Sequence, residues 1–375
     1  MQRSVNVPEN AGSPSSPHTA SDHWVYYLTP SNAWEAMLSS CLSAQQSIDF
    51  EQYIFMPYSR VGREFIEMFK QKAAQGVRVR LLLDAFGSWQ FFLSPVRVAL
   101  KRAGVEVVFF NPPRPWLLFK GWNLFPRDHR KITLVDEQMA FIGGVCIDEN
   151  MRHWRDTHVQ VNGPVVKEIV CSFNSVWDNA KCGKNHAKIP AKGKDVANHL
   201  VINEPTRGNH FLRDQILKKL STAKHEILIT TPYFVPAHSF TRLVFAALER
   251  GVKVSIITSG HANFMSYELG KLESGKFIRR GAKMYAYTAC MLHAKTLVID
   301  DHFVAVGSFN IDSLSFYHNK EADIVSTDPV VVDTLRGHFQ NDLEHSHEMT
   351  MREWRQREWY QKIIGYICHP FRQYL

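Results

Sequence analysis

The sequence predicts an α/β protein of two similar lobes, each with a mixed, mostly parallel sheet flanked by helices, packed about a pseudo-twofold axis. Three observations favour this fold class. Strand and helix patterns alternate along the chain, the same landmarks occur twice in the same order, and each half carries one His-x-Lys-x4-Asp motif. With 375 residues, of which 45% are hydrophobic, the chain is long enough for two lobes with their own cores.

Each half begins with a hydrophobic strand pattern followed by a helical one. Both helical patterns end at a glycine, Gly76 or Gly251, which suits the position after a helix C-terminus. A second strand, a second helical pattern and a third strand follow in each half, as expected of βαβ units. The paired segments are 47–55 and 226–234, 61–74 and 239–249, 77–83 and 252–258, and 104–108 and 281–285.

Composition divides the chain into five parts. Residues 1–22 are rich in Ser, Pro, Asn and Ala, which predicts a disordered tail. The first lobe is predicted over 23–180 and the second over 199–348. Between them, 181–198 is rich in Lys, Gly, Ala and Pro and is interpreted as a linker. Residues 349–375 form a C-terminal amphipathic segment.

The net charge and the cysteine pattern indicate which kinds of partner and site the protein is expected to have. The formal net charge of +8 favours anionic partners, which include phospholipid headgroups, nucleic acid and phosphorylated small molecules. The six cysteines are scattered without a Cys-x-x-Cys pair, so neither a zinc site nor a disulfide framework is indicated, and a reducing compartment is expected. No apolar run is long enough for a transmembrane helix, and the N-terminus lacks the pattern of a secretory signal.

The two His-x-Lys-x4-Asp motifs are the strongest functional signal. They lie in matching frames, since 14 residues separate the histidine from the glycine that opens the next segment in both halves. On an extended strand the histidine and lysine, two residues apart, face the same side. The candidate catalytic residues are His129, Lys131 and Asp136 in the first half and His293, Lys295 and Asp300 in the second.

This residue set suits cleavage of a phosphodiester without a metal. Such a reaction needs a nucleophile, an acid for the leaving alkoxide and fixed positive charge for the non-bridging oxygens. The two histidines can divide the first two roles, and the two lysines can supply the charge. Asp156 and Glu321, which follow the motifs at similar distances, are predicted to orient one imidazole each. Within the motifs, Asp136 and Asp300 are interpreted as structural residues that bind turn backbone or lysine.

The segments after the motifs supply candidate substrate contacts. The pairs Gly143-Gly144 and Gly307-Ser308 permit close backbone approach, so a phosphate could meet main-chain N–H groups and the Ser308 hydroxyl. Asn310 is predicted either to bind substrate or to cap the turn. The predicted substrate-binding residues are therefore Gly144, Ser308 and Asn310.

At these residues the sequence resembles the phospholipase D superfamily over about residues 24–345, with finer features similar to bacterial cardiolipin synthases of a short, peripheral type. The finer features are Tyr53-Ile54-Phe55, Arg127 to Lys131, Gly143-Gly144, Trp154 to His158 with Gly163-Pro164, Thr231 to Pro236, and Gly307 to Asp312.

The resemblance implies one active site at the interface of the two lobes. One histidine forms a phosphatidyl adduct, and the other acts as acid and then as base. In the synthase branch the acceptor is phosphatidylglycerol, and the products are cardiolipin and glycerol. Neither a metal nor an organic cofactor is implied.

The sequence departs from the family pattern in two respects. Cys146 occupies the position at which the second half has Asn310, which reduces the expected symmetry of substrate contacts. The two N-terminal membrane helices of many cardiolipin synthases have no counterpart in this sequence. We therefore expect a peripheral enzyme on the cytoplasmic face of the bacterial inner membrane. Its partners would be the anionic phospholipid surface and phosphatidylglycerol, with no nucleic acid.

Two segments are candidates for membrane contact. The first half has 13 more residues before its motif than the second, and this extra segment, within 114–127, interleaves Trp, Phe and Leu with basic residues. The C-terminal segment 349–375 has a similar mixture. The alternatives are a loop packed on its own core and a helix docked on the second lobe.

Other functions remain open on sequence alone. They are a lipid hydrolase with water as acceptor, a nuclease of the same superfamily, and a non-enzymatic lipid-binding protein, whose motifs would be damaged. The sequence leaves the acceptor and the oligomeric state undetermined. Because the aromatic and basic segment precedes His129, we expect His129 to be the nucleophile and His293 the general acid.

Overall fold

The computed structural model describes residues 22–113, 125–184, 197–205, 208–261 and 264–357. The chain forms two mixed sheets flanked by helices, one from each half, which confirms the predicted α/β class.

The first sheet has seven strands in the order β1-β7-β6-β5-β2-β3-β4. The elements of this lobe are β1 His23–Tyr27, α1 Pro30–Ser43, β2 Ser47–Gln52, α2 Arg60–Ala74, β3 Arg78–Asp84, α3 Trp89–Leu93, α4 Val96–Arg102, β4 Glu106–Phe110, β5 Ile132–Val135, β6 Met139–Gly143, β7 His158–Asn162 and α5 Val165–Lys181.

The second sheet has nine strands in the order β16-β12-β11-β10-β13-β14-β15-β8-β9. Its elements are β8 Asn198–Glu204, β9 Asn209–His210, α6 Phe211–Thr222, β10 Glu226–Thr231, α7 His238–Glu249, β11 Lys253–Ser259, α8 Phe264–Ile278, β12 Lys283–Tyr287, β13 Thr296–Ile299, β14 Phe303–Gly307, α9 Ser313–Tyr317, β15 Glu321–Ser326, α10 Pro329–Glu344, β16 Ser346–Glu348 and α11 Met351–Arg355.

The expected majority of parallel strands is wrong. Among the described strands of the two sheets, β2-β3-β4 and β10-β11-β12 pair in parallel, and the other neighbouring strands are antiparallel. The physical reason lies in the connections. Short turns join β5 to β6 and β13 to β14, and a short turn can join only antiparallel strands. Because β5 and β13 also run antiparallel to β2 and β10, each motif begins at the carboxyl end of the parallel strands.

The helices that follow β2 and β10 end as the sequence predicts. Gly76, just after α2, and Gly251, just after α7, have φ angles of 86° and 85°, in the left-handed region that favours glycine. The N-terminus of α2 is capped by the Ser59 side chain, which accepts a hydrogen bond from the backbone N–H of Gly62.

The two lobes share part of their hydrophobic core. One cluster belongs to the first lobe, one to the second, and a third, the shared core, contains residues of both. Burial of apolar surface on both sides therefore holds the sheets together. The shared core includes Ile132, Ile142, Val159, Phe173 and Trp177 from the first lobe, and Leu292, Ala294, Val306, Ile324 and Phe339 from the second.

Several predicted segments fall wholly or largely outside the described residues. They are the N-terminal tail, most of the linker, the aromatic and basic segment from 114 to 124, and the C-terminal residues from 358 onward. The described start of the C-terminal segment docks on the second lobe, where Trp354 Nε1 donates to Lys271 O at 2.7 Å. Among the described helices, none is both long and apolar enough to cross a bilayer.

The motif aspartates stabilise turns at the far end of the motif strands from the histidines. Asp136 accepts hydrogen bonds from the backbone N–H groups of Gln45, Gln46 and Ser47. Asp300 does the same for residues 224–226. Both have left-handed φ angles, 53° and 52°. These contacts agree with the interpretation that Asp136 and Asp300 bind turn backbone. Because both side chains lie away from the histidines, their inclusion among the candidate catalytic residues is corrected.

Asp300→Asn is expected to lower the free energy of unfolding by about 2 kcal/mol, because a buried carboxylate that accepts backbone hydrogen bonds loses its charge and one oxygen. Asparagine tolerates the left-handed backbone, so strain does not confound the result. Denaturant unfolding measures the change.

Asp301→Asn is the matched control, since the neighbouring side chain is 87% exposed. Turnover per folded Asp300→Asn molecule should stay near that of the unsubstituted protein. A stable variant with turnover near zero would show that Asp300 acts in the chemistry.

Candidate active site

The two motif histidines lie where the lobes meet, on backbone segments that pair across the interface. His129 N donates to Lys320 O at 3.1 Å, and Lys320 N donates to Arg127 O at 2.9 Å. The same pattern recurs with the lobes exchanged, since His293 N donates to Arg155 O at 2.6 Å. Each motif histidine is thereby fixed by the strand segment that leads to the acid of the other lobe.

Each imidazole contacts a carboxylate of the opposite lobe. His129 Nδ1 lies 3.0 Å from both carboxylate oxygens of Glu321, and His293 Nδ1 lies 2.7 Å from Asp156 Oδ2. Both acids are fully buried, whereas the imidazoles are 13% and 12% exposed. Because Nδ1 faces the acid, Nε2 on the other side of each ring is the atom available for chemistry.

The two motif lysines lie beside the histidines and are buried. Lys131 Nζ donates to the backbone carbonyl of His129, and Lys295 Nζ donates to that of His293. Lys295 Nζ also lies 3.1 Å from His293 Nδ1. Burial, with the nearby charge of Lys131, lowers the pKa of Lys295 to about 8, which leaves it mostly charged at neutral pH.

Burial and the two lysine charges keep the imidazoles neutral in the free protein. Burial lowers the pKa of His293 to about 4, and the charge of Lys295 contributes to the shift. Burial also holds the pKa of His129 well below its usual value, with contributions from the charges of Lys131 and Lys295. A neutral imidazole has a free electron pair on one nitrogen and is competent as a nucleophile or base.

The two orienting acids differ in charge state. Burial opposes ionisation of Asp156, but His293 and Lys295 together lower its pKa below the usual value. Burial raises the pKa of Glu321 to about 7, although Lys131 opposes the shift. The His293 pair thus contains an ionised acid, and the His129 pair exchanges a proton near neutral pH.

The predicted substrate role of Ser308 is corrected, because its hydroxyl is fully buried and bound within the protein. It donates to Glu321 Oε2 at 2.5 Å and accepts from Ala322 N at 3.1 Å. Ser315 donates to the other oxygen, Glu321 Oε1, at 2.6 Å. The two hydroxyls orient the carboxylate that holds His129.

Gly144, which matches Ser308 in the first lobe, leaves space for a buried acid, and the predicted contact with substrate at this residue stays a prediction. A Cβ atom at Gly144 would lie 2.2 Å from Asp156 Oδ1, and one at Gly307 would lie 2.2 Å from Asp323 Oδ1. The side chains of Asp156 and Asp323 therefore make the close approach that the glycines permit. The sequence pattern located these positions but not the partner.

Asn310 and Cys146 occupy matching positions beside the site. Asn310 Oδ1 is buried and makes no hydrogen bond within the described part of the chain, so it stays a candidate for substrate binding. Burial raises the pKa of the Cys146 thiol, although the charges of Lys131 and Lys295 oppose the shift. The uncharged thiol thus lies near both lysines where the second lobe has an amide.

Two aromatic residues flank the histidines, and no role was predicted for them. The Tyr53 ring meets the His129 ring edge-on at a centroid distance of 4.9 Å, and the Trp154 ring lies 5.5 Å from that of His293. Lys131 Nζ lies 5.3 Å from the Tyr53 centroid. Both residues belong to sequence segments that resemble the family, and this could have marked them as candidates. Their contacts with the imidazoles become visible only in the folded structure.

The arrangement supplies two nucleophilic or acid–base imidazoles and two fixed cations. Among the described residues, no group of three or more His, Cys, Asp and Glu side chains is placed to hold a metal ion. The lysines are the cations that this site offers to an anionic substrate.

The family model described as "Cardiolipin synthase, PLD-like domain" matches residues 37–177 and 216–343. The chain belongs to the phospholipase D superfamily. It is an enzyme of this family that resembles cardiolipin synthases, and each lobe is one phospholipase D-like domain.

Curated relatives are about 30% identical to this chain over the aligned residues. A protein named cardiolipin synthase from Oceanobacillus iheyensis is 31% identical over 86% of this chain and 69% of its own length. A cardiolipin synthase from Halalkalibacterium halodurans is 29% identical over 87% of this chain and 67% of its own length. The major cardiolipin synthase ClsA of Bacillus subtilis is 30% identical over 86% of this chain and 69% of its own length. The chain thus spans about two thirds of the length of these relatives.

Solved structures show the same fold at low identity. A phosphatidylserine synthase from Haemophilus influenzae superposes with a TM-score of 0.74 at 12% identity, over 93% of this chain and 92% of that one. A polyphosphate kinase from Porphyromonas gingivalis gives a TM-score of 0.60 at 12% identity, over 94% of this chain and 53% of its own.

Gly144→Ala is expected to lower the rate of the phospholipase D-type reaction by about 10²-fold or more, because the added methyl group displaces Asp156 from His293. Steady-state kinetics measure the loss, and the downfield Nδ1 proton of His293 in NMR spectra reports the displaced contact.

Gly337→Ala is the control, since a Cβ there meets no atom within 4 Å. A folded Gly144→Ala protein with both the normal rate and the His293 resonance in place would contradict this role for the glycine.

Proposed function

We propose that the protein is a phosphatidyltransferase that makes cardiolipin from phosphatidylglycerol through a phosphohistidine intermediate. The observation that carries the proposal is the pair of imidazoles, each held at Nδ1 by an acid of the other lobe, beside two buried lysines. This arrangement suits a two-step transfer. One histidine carries the phosphatidyl group between the two substrates, and the other gives and then takes a proton.

In the first step, Nε2 of His129 attacks the phosphorus of the donor phosphatidylglycerol. A nitrogen–phosphorus bond forms, and the bond from phosphorus to the headgroup glycerol oxygen breaks. The leaving oxygen takes a proton from the imidazolium form of His293, which the bound phosphodiester anion and Asp156 stabilise. Lys131 and Lys295 offset the charge on the non-bridging oxygens.

In the second step, the headgroup hydroxyl of another phosphatidylglycerol molecule enters from the side of His293. The neutral imidazole takes the hydroxyl proton, and the oxygen attacks phosphorus. The bond from phosphorus to His129 breaks, which releases cardiolipin and returns His129 to its neutral form and His293 to its protonated form. Glycerol is the only other product, so atoms and charge balance over the cycle.

The proposal places the protein on the cytoplasmic face of the bacterial inner membrane as a peripheral enzyme. The net charge of +8 supports attraction to an anionic phospholipid surface. The names of the curated relatives support a lipid substrate over nucleic acid.

Incubation with radiolabelled phosphatidylglycerol is expected to yield labelled cardiolipin and free glycerol, separated by thin-layer chromatography. His129→Ala and His293→Ala should each abolish the product, because one composite site needs both imidazoles. His302→Ala, which replaces a half-exposed histidine on a turn, is the matched control.

Phosphatidic acid as the sole lipid product would replace the proposal with a hydrolase. Cleavage of single-stranded DNA without lipid turnover would replace it with a nuclease. Normal cardiolipin synthesis by either histidine variant would contradict the two-histidine mechanism.

The nucleophile assignment predicts a specific pH dependence. If His129 attacks as the neutral base beside ionised Glu321, kcat/KM falls as the pH drops below about 7, the pKa of Glu321. Ser308→Ala removes a hydrogen bond that favours the ionised acid, so this pKa rises and the acid limb moves up by about one pH unit. Ser326→Ala, a buried serine at the far end of β15, is the control.

A shift of the alkaline limb in Ser308→Ala would instead make the His129 pair the proton donor. Rapid quenching without acid, followed by mapping of the phosphatidylated peptide, checks the assignment independently. An adduct on the peptide that contains His293 would reverse the two roles.

A further inference from the structure

One surface of the first lobe exposes an unusual number of large apolar side chains. The described residues contain nine such side chains. Four of them lie close in sequence on and around α3 and α4, and a fifth, Tyr58, lies beside them because its hydroxyl forms a hydrogen bond of 2.7 Å with Ser94 Oγ. We name these five the α3 face. They are Tyr58 (55% exposed), Phe86 (57%), Trp89 (54%), Leu93 (71%) and Val98 (43%).

The core beneath the α3 face is already filled. Phe91 of α3 is fully buried, with its ring 5.0 Å from that of Phe55, and the Phe92 ring lies 5.0 Å from that of Phe109. Trp89 and Leu93, four residues apart, lie on the opposite side of the helix and face solvent. Their exposure is therefore not a consequence of core packing.

Exposed basic residues lie beside the α3 face on α4. From Phe86 to Val105 the sequence contains no acidic residue, and Arg97, Lys101 and Arg102 are exposed on α4. The Arg97 guanidinium stacks over Phe92 at 5.4 Å. An apolar, aromatic face with three exposed cations on the adjoining helix matches the interface of an anionic bilayer, where aromatic rings lie at headgroup depth.

The α3 face continues into the active site. The loop before α3 packs on Tyr53, since Ser88 Oγ donates to Tyr53 O at 2.9 Å and accepts from Phe55 N at 3.0 Å. The Tyr53 ring in turn contacts His129. The Arg127 guanidinium lies 5.8 Å from the Phe86 centroid. The α3 face is thus connected through Tyr53 to the first-lobe histidine.

The second lobe has no equivalent face among its described side chains. There the segment after β11 enters the 15-residue helix α8, which α11 covers through the hydrogen bond of Trp354 to Lys271 O. The α3 face is thus a property of one lobe and not a requirement of the repeated fold.

We propose that the α3 face docks the enzyme on an anionic phospholipid bilayer, with Trp89 and Leu93 inserted at the headgroup level and the α4 cations against lipid phosphates. The proposal rests on the phosphatidyltransferase function and assigns the surface that delivers its substrate. A second copy of this chain is disfavoured as occupant, because a twofold contact would bring the same three cations against one another.

Sedimentation with vesicles of phosphatidylglycerol and phosphatidylcholine tests the surface apart from the chemistry. Trp89→Ala/Leu93→Ala and Lys101→Glu are expected to weaken vesicle binding by about tenfold or more, with the charge effect lost at high salt. Phe211→Ala, which removes an aromatic ring 52% exposed on the second lobe, and Lys218→Glu are the matched controls. Turnover of lipid dispersed in detergent micelles should be unchanged in all four variants.

Normal vesicle binding by both α3-face variants would overturn the surface while leaving the transferase proposal intact. Conversion of a dimer to a monomer by Trp89→Ala/Leu93→Ala, seen by analytical ultracentrifugation, would assign the face to a second copy instead. Specific vesicle binding without any lipid turnover would reject the transferase proposal and keep the surface.

Discussion

The crossed contacts between imidazole and carboxylate are the constraint on which the rest of the structure depends. Neither lobe holds its own histidine by its own acid, because His129 contacts Glu321 and His293 contacts Asp156. The site therefore exists only when the lobes are docked. The shared core supplies the apolar burial for docking, and the reciprocal backbone hydrogen bonds fix the register.

The two motif strands bury different residues at the position between the histidine and the lysine. In the first lobe, Arg130 is buried between the motif histidine and lysine and binds Glu51 and Ser172. The matching residue of the second lobe is Ala294, which belongs to the shared core. A buried guanidinium needs hydrogen-bonded partners, whereas an alanine needs only packing, so the first lobe specifies its motif strand with a polar network.

Much of the architecture could be predicted because it follows from local patterns. The helices after β2 and β10 and their terminal glycines followed from periodicity and spacing. Strand direction was predicted wrongly because hydrophobic runs do not encode it; the short turns after Asp136 and Asp300 do.

The contacts within the site required the three-dimensional arrangement. Sequence spacing suggested that Asp156 and Glu321 orient imidazoles, but it does not encode which lobe each acid serves. The same holds for Ser308, whose hydroxyl serves Glu321, and for Gly144, whose missing side chain makes room for Asp156. These contacts join residues more distant in sequence than a local pattern can relate.

The reciprocal contacts have the form of a twofold dimer interface, in which each partner gives what it receives. Two identical chains joined in this way would carry two equal halves of a site and could change only together. Covalent linkage removes that restriction, because each half of one polypeptide mutates separately. Cys146, which matches Asn310, and Gly144, which matches Ser308, are two of the positions at which the halves of this site have diverged. Donor and acceptor play different roles in the proposed reaction. Two lobes with the same fold but different residues at matching positions can serve these two roles separately.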